Sequence, residues 1–227
     1  MSNKIDSWWN IISEEWQKIF LKAIKVDNNP KTEDLLKILE LKEINCARTE
    51  ITSLDPLRYL INLERVICFQ TKIQSLEPLS NLKKLREIRC FETDIDSLEP
   101  IKNLSNLQEL RFYLTFINDL EPLRNFKKLK TIHCSELDII DLEPLSQLYD
   151  LETLFCGSTN IIDLSPLTKL EKLQKLSCNN TKIKTIEPIM ELTNLQILDC
   201  KNTEIERDEI SFFKKNHPDC VTFYGNT

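Results

Sequence analysis

The chain has 227 residues, of which 41% are hydrophobic, and a formal net charge of −6. An acidic balance without a Lys/Arg-rich run argues against nucleic-acid binding and against binding to an anionic membrane. The only two glycines are Gly157 and Gly225, so the sequence has no glycine-rich loop with which to cradle a phosphate.

The N-terminal segment lacks the unbroken apolar core of a secretory signal, and no later stretch is apolar for long enough to cross a bilayer. We therefore expect a cytoplasmic protein. In that reducing compartment the eight cysteines are expected to be free thiols.

Residues 1–40 are predicted to form a helical N-terminal cap. Apolar residues recur there at helical spacing, and Ser13, followed by two glutamates, is a candidate start for a second helix. A short third helix is expected from Thr32 through Leu39, after the break at Asn28-Asn29-Pro30. The residues with helical spacing are Ile5, Trp8, Trp9, Ile12, Trp16, Ile19, Phe20, Ala23 and Ile24. Their three tryptophans either cover the end of the following structure or form a docking site for a partner.

From residue 41 the chain repeats every 22 residues. Leucine, isoleucine and proline recur at fixed positions of the unit, in phase with a ladder of cysteines, and four ladders in phase establish an internal repeat. The cysteine ladder is Cys46, Cys68, Cys90, Cys134, Cys156, Cys178 and Cys200, with Phe112 in the remaining position.

The unit L-x-x-(L/I/V)-x-C-x-x-T-x-I-x-x-L-x-P-L resembles the leucine-rich repeat, and its second half resembles the short repeats of internalins and of the regulatory subunit of protein phosphatase 1. The resemblance implies an α/β solenoid: a right-handed, curved stack with a parallel sheet on its concave side and short 3-10 or helical turns on its convex side. It places the repeats at residues 41–206 and a C-terminal cap at 207–227, all in one structural domain.

The usual asparagine of the family is replaced by threonine in every repeat except the fifth, which has Leu137. A threonine hydroxyl can still bond nearby backbone, whereas leucine cannot. This difference predicts local loosening around the fifth repeat. Within the C-terminal cap, Ile210, Phe212 and Phe213 predict a longer helix, and a final strand is expected around Val221 and Phe223.

The cysteines are predicted to belong to the core. Each is alone in its repeat and points inward from a parallel strand, which provides neither the clustered ligands that zinc needs nor a consistent disulfide pairing. We therefore predict no metal and no cofactor. The two histidines, His133 and His217, lie in different repeats without a nucleophile beside them, so no catalytic residue is predicted.

The residues expected on the concave face change character along the chain. Repeats two to four place aromatic and aliphatic side chains there with three arginines, whereas repeats seven and eight are mostly polar. Clustered exposed aromatics with arginine are typical of protein interfaces. The predicted partner-binding residues are Arg65, Ile67, Phe69, Arg89, Phe91, Arg111, Tyr113, Leu114, Phe116, His133 and Phe155.

The leading hypothesis is a non-catalytic module that binds a protein or peptide on this face, without nucleic acid or membrane; a monomer is expected. One alternative is an enzyme or small-ligand binder centred on His133, with Glu109, Arg111 and Glu136. Another is a purely structural spacer, in which Phe69, Phe91 and Tyr113 only stack on one another and stiffen the sheet.

Overall fold

The structure, a computed structural model, describes residues 2–225, with side-chain burial defined for residues 4–225. Its four α-helices lie at the two ends of the chain, outside the repeats. They are α1 (Ser2–Ile11), α2 (Glu14–Ile24), α3 (Thr32–Leu36) and α4 (Arg207–Asn216). Within residues 2–225, no helix is long and apolar enough to cross a membrane.

The repeats form one parallel sheet of nine three-residue strands in sequence order. Consecutive strands pair so that the same position of each repeat lies beside its counterpart, as Arg65 lies between Glu43 and Glu87. The strands are β1 (Glu43–Asn45), β2 (Arg65–Ile67), β3 (Glu87–Arg89), β4 (Glu109–Arg111), β5 (Thr131–His133), β6 (Thr153–Phe155), β7 (Lys175–Ser177), β8 (Ile197–Asp199) and β9 (Val221–Phe223). This confirms the predicted α/β solenoid with a parallel sheet.

Short 3-10 turns connect the strands on the other side of the stack. From the second onward each turn has proline in its first positions, where the missing N–H leaves no hydrogen bond unmade. The turns are Lys37–Glu40, Asp55–Leu57, Glu77–Leu79, Glu99–Ile101, Glu121–Leu123, Glu143–Leu145, Ser165–Leu167 and Glu187–Ile189. Their leucines and isoleucines are buried against the inner face of the sheet, so neighbouring repeats share one continuous core.

The seven ladder cysteines lie in this core, at most 1% exposed, and Phe112 is fully buried in the remaining position. In every repeat except the fifth, a threonine lies three residues after the ladder residue and donates its hydroxyl to the carbonyl of that residue, as Thr71 Oγ1 does to Cys68 O at 2.8 Å. Leu137 has no hydroxyl and buries its side chain instead. A backbone bond between the fourth and fifth repeats is also missing: the N–H of Leu114 does not reach the next repeat, although its counterparts in the other repeats do.

The N-terminal helices pack on the first repeat. Trp16 is 4% exposed, packs against Phe20 with tilted rings whose centroids are 5.2 Å apart, and donates its indole N–H to the carbonyl of Ser53 at 3.1 Å. Ser13 caps α2 by accepting the N–H of Trp16 at 3.3 Å, as its position before two glutamates predicted. These contacts cover apolar surface that the open end of the stack would otherwise expose to water. The division into cap, repeats and cap at residues 41 and 207 remains a prediction.

At the other end, α4 and β9 occupy the positions expected for the C-terminal helix and strand. Phe213 is fully buried and stacks on His217 with ring centroids 4.1 Å apart, whereas Phe212 is 59% exposed. Helix α4 therefore contributes one of its two phenylalanines to the core.

Candidate functional site

The exposed face of the sheet carries a continuous row of rings in contact, which we name the ring ladder: Phe69, Phe91, Tyr113, His133 and Phe155. The first three rings are nearly parallel, with centroids 4.3 and 4.4 Å apart. This spacing follows from the fold, because parallel strands place equivalent side chains roughly one strand spacing of about 4.8 Å apart.

The histidine joins the ladder between two aromatic residues. Its ring centroid lies 4.0 Å from that of Tyr113 in a stacked arrangement and 5.2 Å from that of Phe155 in an edge arrangement. Burial among these rings, together with the nearby Arg111 guanidinium, lowers the pKa of His133 from 6.5 to about 4. The imidazole is therefore uncharged at neutral pH and is the polar member of an otherwise aromatic row.

A second row on the same face is ionic. Arg65 pairs with Glu43 at 2.5 Å and with Glu87 at 2.6 Å. Arg89 Nε lies 2.6 Å from Glu87 Oε1, although its N–H does not point at that oxygen. The row ends at Glu109, which lies 3.3 Å from Arg89 and 2.7 Å from Arg111. We name these alternating charges of β1–β4 the ion-pair row.

The arginines therefore already have carboxylate partners within the sheet. For Arg89 and Arg111 the closest contact in each of these pairs is made by Nε, and among residues 2–225 their terminal guanidinium nitrogens donate no hydrogen bond. Those nitrogens are free to donate to another carboxylate, because a guanidinium carries five N–H donors.

The structure divides the predicted partner-binding residues between two places. The ring ladder, the three arginines and Ile67 share the exposed sheet face. Leu114 and Phe116 instead lie in the loop that follows β4, at the edge of the sheet formed by the C-terminal ends of the strands. There they are 43% and 68% exposed. Glu92, Asp94 and Asp138 also lie at this edge and line the same clefts as Phe116. They were not predicted as site residues, although the sequence places Asp94 and Asp138 22 residues before and after Phe116, and Glu92 22 residues before Leu114.

The polar half of the same face has different contacts. Where the ladder has rings, the seventh and eighth repeats have Asn179 and Lys201. Asn179 donates to Asp199 at 2.9 Å, and Lys201 lies over the ring of Phe223 at 5.1 Å. The backbone positions are equivalent in the two halves, so the difference is entirely one of side chains.

Comparison with known proteins agrees with this architecture. A family profile described as Leucine Rich repeats (2 copies) matches residues 171–215. Internalin C2 from Listeria monocytogenes superposes with a TM-score of 0.86 at 24% identity, over 95% of this chain and 96% of that one. The chain therefore has the leucine-rich repeat fold. No curated protein matches it in sequence.

Two further structures share the leucine-rich repeat fold. The functional domain of InlJ from Listeria monocytogenes, described as including a cysteine ladder, has a TM-score of 0.65 at 17% identity, over 98% of this chain and 61% of that one. The ectodomain of the plant receptor kinase GASSHO1/SCHENGEN3 from Arabidopsis thaliana, solved with CASPARIAN STRIP INTEGRITY FACTOR 2, has a TM-score of 0.70 at 18% identity, over 87% of this chain and 26% of that one. At these identities the likeness shows the fold alone.

The cysteine ladder of this leucine-rich repeat stack is unreactive by its environment. Burial raises the pKa of Cys90 and of Cys134 to about 12, so their thiols stay protonated at neutral pH. The Cys46 thiol donates to the carbonyl of Ile67 at 3.4 Å, and its pKa is also raised to about 12, mainly by burial. Because the thiolate is the nucleophile and the metal ligand, these residues serve packing. Within residues 2–225, no three metal-ligating side chains cluster.

The alternative site centred on His133 gains no support from its surroundings. The imidazole lies against rings on both sides, and its neighbour Glu109 is engaged with two arginines. A cavity of about 600 Å³ lies elsewhere, between the N-terminal helices and the first repeat. Leucine-rich repeat domains are typically non-catalytic interaction modules, and the fold of this chain is consistent with that class.

Proposed function

We propose that the chain is a non-catalytic interaction module that holds a protein or peptide against the exposed face of its sheet, over strands β2–β6. The observation that carries this proposal is the ring ladder, an unbroken half-buried aromatic surface beside arginines with free terminal nitrogens. Aromatic residues and arginine contribute most of the binding energy in many protein interfaces.

The contacts suggest how a partner would bind. Stacking covers the faces of the inner rings, so a partner would pack on the ring edges that remain in water. Carboxylates of the partner would accept hydrogen bonds from the terminal nitrogens of Arg89 and Arg111. The complex of the plant receptor ectodomain is a precedent for a leucine-rich repeat domain that binds another molecule.

The test is affinity capture from the native cell with wild type and with the double variant Phe91→Ala/Tyr113→Ala. The variant should lose at least tenfold of the captured partner. Asn179→Ala/Lys201→Ala, at the same repeat position in the polar half, is the matched control and should capture normally. Thermal unfolding followed by circular dichroism checks that both variants fold. Unchanged capture by the folded Phe91/Tyr113 variant would overturn the proposal.

A second candidate is a structural spacer. It is favoured by the same stacking, because the rings cover one another and the arginines have internal carboxylate partners. In that case the double variant would be less stable than wild type but would not capture less of any partner. The amount of partner captured by the double variant therefore distinguishes the two candidates.

We also propose a cytoplasmic location and a monomeric state. The eight free, buried cysteines support a reducing compartment, in which disulfides rarely persist. Cell fractionation with a tagged chain tests the location, and sedimentation of the purified chain tests the monomer. Recovery in an exported fraction, or a stable dimer at micromolar concentration, would contradict them.

A further inference from the structure

A second exposed apolar surface lies at the C-terminal end of β4, directly after Tyr113 of the ring ladder. Phe116 is 68% exposed and Leu114 is 43% exposed, two positions apart in the loop that follows β4. We name this surface the Phe116 edge: Leu114 and Phe116, with the carboxylates of Glu92, Asp94, Glu136 and Asp138. An exposed phenylalanine beside an exposed leucine is poorly placed in water.

Clefts lie on both sides of the phenylalanine. A cleft of about 320 Å³ separates Phe116 and Leu114 from the loop of the third repeat, which carries Glu92 and Asp94. A cleft of about 490 Å³ separates Phe116 from the loop of the fifth repeat, which carries Glu136 and Asp138. Phe116 is therefore an apolar ridge between two concave surfaces, each wide enough for side chains of a partner.

The clefts are acidic, and none of their four carboxylates forms a direct ion pair among the described residues, although Lys72, which pairs with Glu50, also interacts with the charge of Asp94. Among residues 2–225, no lysine, arginine or histidine lines either cleft, and none forms an ion pair with the four carboxylates. Glu92 accepts a hydrogen bond from the amide of Gln70 at 2.7 Å, and Asp138 accepts one from the amide of Asn160 at 3.3 Å. By contrast, the glutamates of the ion-pair row are each matched by arginine.

The local backbone conformation does not explain why position 114 is a leucine. Its φ is +54°, in the left-handed region that a branched apolar residue adopts at a cost. The other repeats have polar or charged residues at this position. The side chain of Leu114 is not buried in return, and its N–H lacks the inter-repeat bond that its counterparts make.

We propose that the Phe116 edge binds a basic segment of a partner protein. In this arrangement an apolar side chain of the segment packs against Phe116 and Leu114, and lysine or arginine side chains on either side enter the two acidic clefts. Charge complementarity decides the class of occupant. A second copy of this chain is disfavoured because it carries the same net charge of −6.

This surface is separate from the one proposed above. The ring ladder presents arginine and would receive acidic groups, whereas the Phe116 edge presents carboxylates and would receive basic ones. A single partner could engage both surfaces with segments of opposite charge, but neither surface requires the other.

The probe is a random peptide library displayed on phage and selected on the wild-type chain, with counter-selection against Phe116→Ser. The enriched peptides should be net basic and should contain an aromatic or aliphatic residue between lysines or arginines. Enrichment of neutral or acidic peptides, or no enrichment beyond the counter-selection, would overturn the proposal.

Fluorescence anisotropy with the most enriched peptide then locates the site. Phe116→Ser and the double variant Glu92→Gln/Glu136→Gln should each weaken binding at least tenfold, and the affinity should fall as salt is raised. Ile162→Ser is the matched control for the apolar change, because Ile162 is 63% exposed in another repeat. Glu191→Gln, an exposed carboxylate near a different turn, is the control for charge. Equal weakening by these controls would refute the assignment.

The variant Phe91→Ala/Tyr113→Ala separates this inference from the proposed function. It should leave the affinity for the basic peptide unchanged, since the ring ladder does not line the clefts. Loss of peptide binding in this variant would place the peptide on the sheet face and overturn the Phe116 edge. Failure of the cell-partner capture alone would leave the edge intact.

Discussion

The second to sixth repeats and the last two share a backbone and differ in what they display. Both halves stack parallel strands at the same register, bury one residue in each rung of the ladder and close each turn with proline. On the exposed face, however, one half carries five interacting rings, and the other carries asparagine, serine, aspartate and lysine. The comparison shows that the repeat constrains the inward residues and leaves the outward ones to a function.

The largest expected difference between the halves lies beneath the surface. Phe112 is fully buried in the ladder position that Cys178 occupies in the polar half. Phe112→Ala should reduce the free energy of unfolding by about 3–5 kcal/mol because of the cavity it leaves. Cys178→Ala removes a single sulfur and should cost about 1 kcal/mol. Urea unfolding of both variants measures the contrast, and equal losses would contradict it, because the large cavity at Phe112 would then cost no more than the small one at Cys178.

The stability of the chain should depend on pH through the aromatic half. His133 has a lowered pKa of about 4 in the folded chain, against 6.5 when unfolded. Between those values the unfolded chain binds a proton that the folded chain does not, so stability is complete above pH 6.5 and falls as pH decreases toward 4. The loss should be about 1–3 kcal/mol, given the partial exposure of the ring.

The control for this prediction is His133→Phe, which keeps a ring in the ladder and removes the titrating group. Unfolding free energies of wild type and variant are measured from pH 7 to pH 4. The two curves should diverge below pH 6.5, with the variant losing less stability. Parallel curves would mean that the imidazole is protonated as easily in the ladder as in water.

The threonine hydrogen bonds, by contrast, should contribute equally to the stability of the two halves. Thr93 and Thr181 each donate to the carbonyl of their ladder cysteine at 2.6 Å. Replacing either with valine keeps the shape but leaves a buried carbonyl without its donor, so each variant should lose about 1 kcal/mol. A clear difference between Thr93→Val and Thr181→Val in thermal unfolding would break the view that the halves share one scaffold.

The smallest expected effect is that of salt on the ion-pair row. Exposed pairs contribute little and are screened, so raising ionic strength should lower stability by less than about 1 kcal/mol. Arg89→Met should reduce this dependence, whereas Lys175→Met in the polar half should leave it unchanged. Urea unfolding at low and high sodium chloride checks the pair, and an unchanged salt response in Arg89→Met would show that the row has no net effect on stability.

The fold could be predicted well from the sequence because the residues that recur every 22 positions are the ones that point into the core. The 22-residue spacing sets the strand register, proline marks each turn, and Ser13 marks the start of α2. These features depend on backbone and burial, which a periodic pattern expresses in every repeat.

The arrangement of exposed side chains was less predictable. Phe69, Phe91 and Tyr113 occupy one column of the repeat, which anticipates stacking, but a column does not reveal that His133 and Phe155 continue the row. The internal pairing of Arg65, Arg89 and Arg111 depends on rotamers, and several acceptors were within reach of each guanidinium. The sequence therefore identified the face but not its contacts.

The left-handed residue that ends each strand region has a consequence for how the repeats could be improved. Every repeat requires a positive φ at this place, yet none has glycine there. Asn180 and Asn202 suit that conformation, while the central repeats retain Gln70, Glu92, Leu114 and Glu136, whose side chains do not favour it. Consensus engineering with asparagine would thus strengthen the central repeats one loop at a time, and the loops where such a change harms recognition would mark where natural selection has favoured the side chain over local backbone preference.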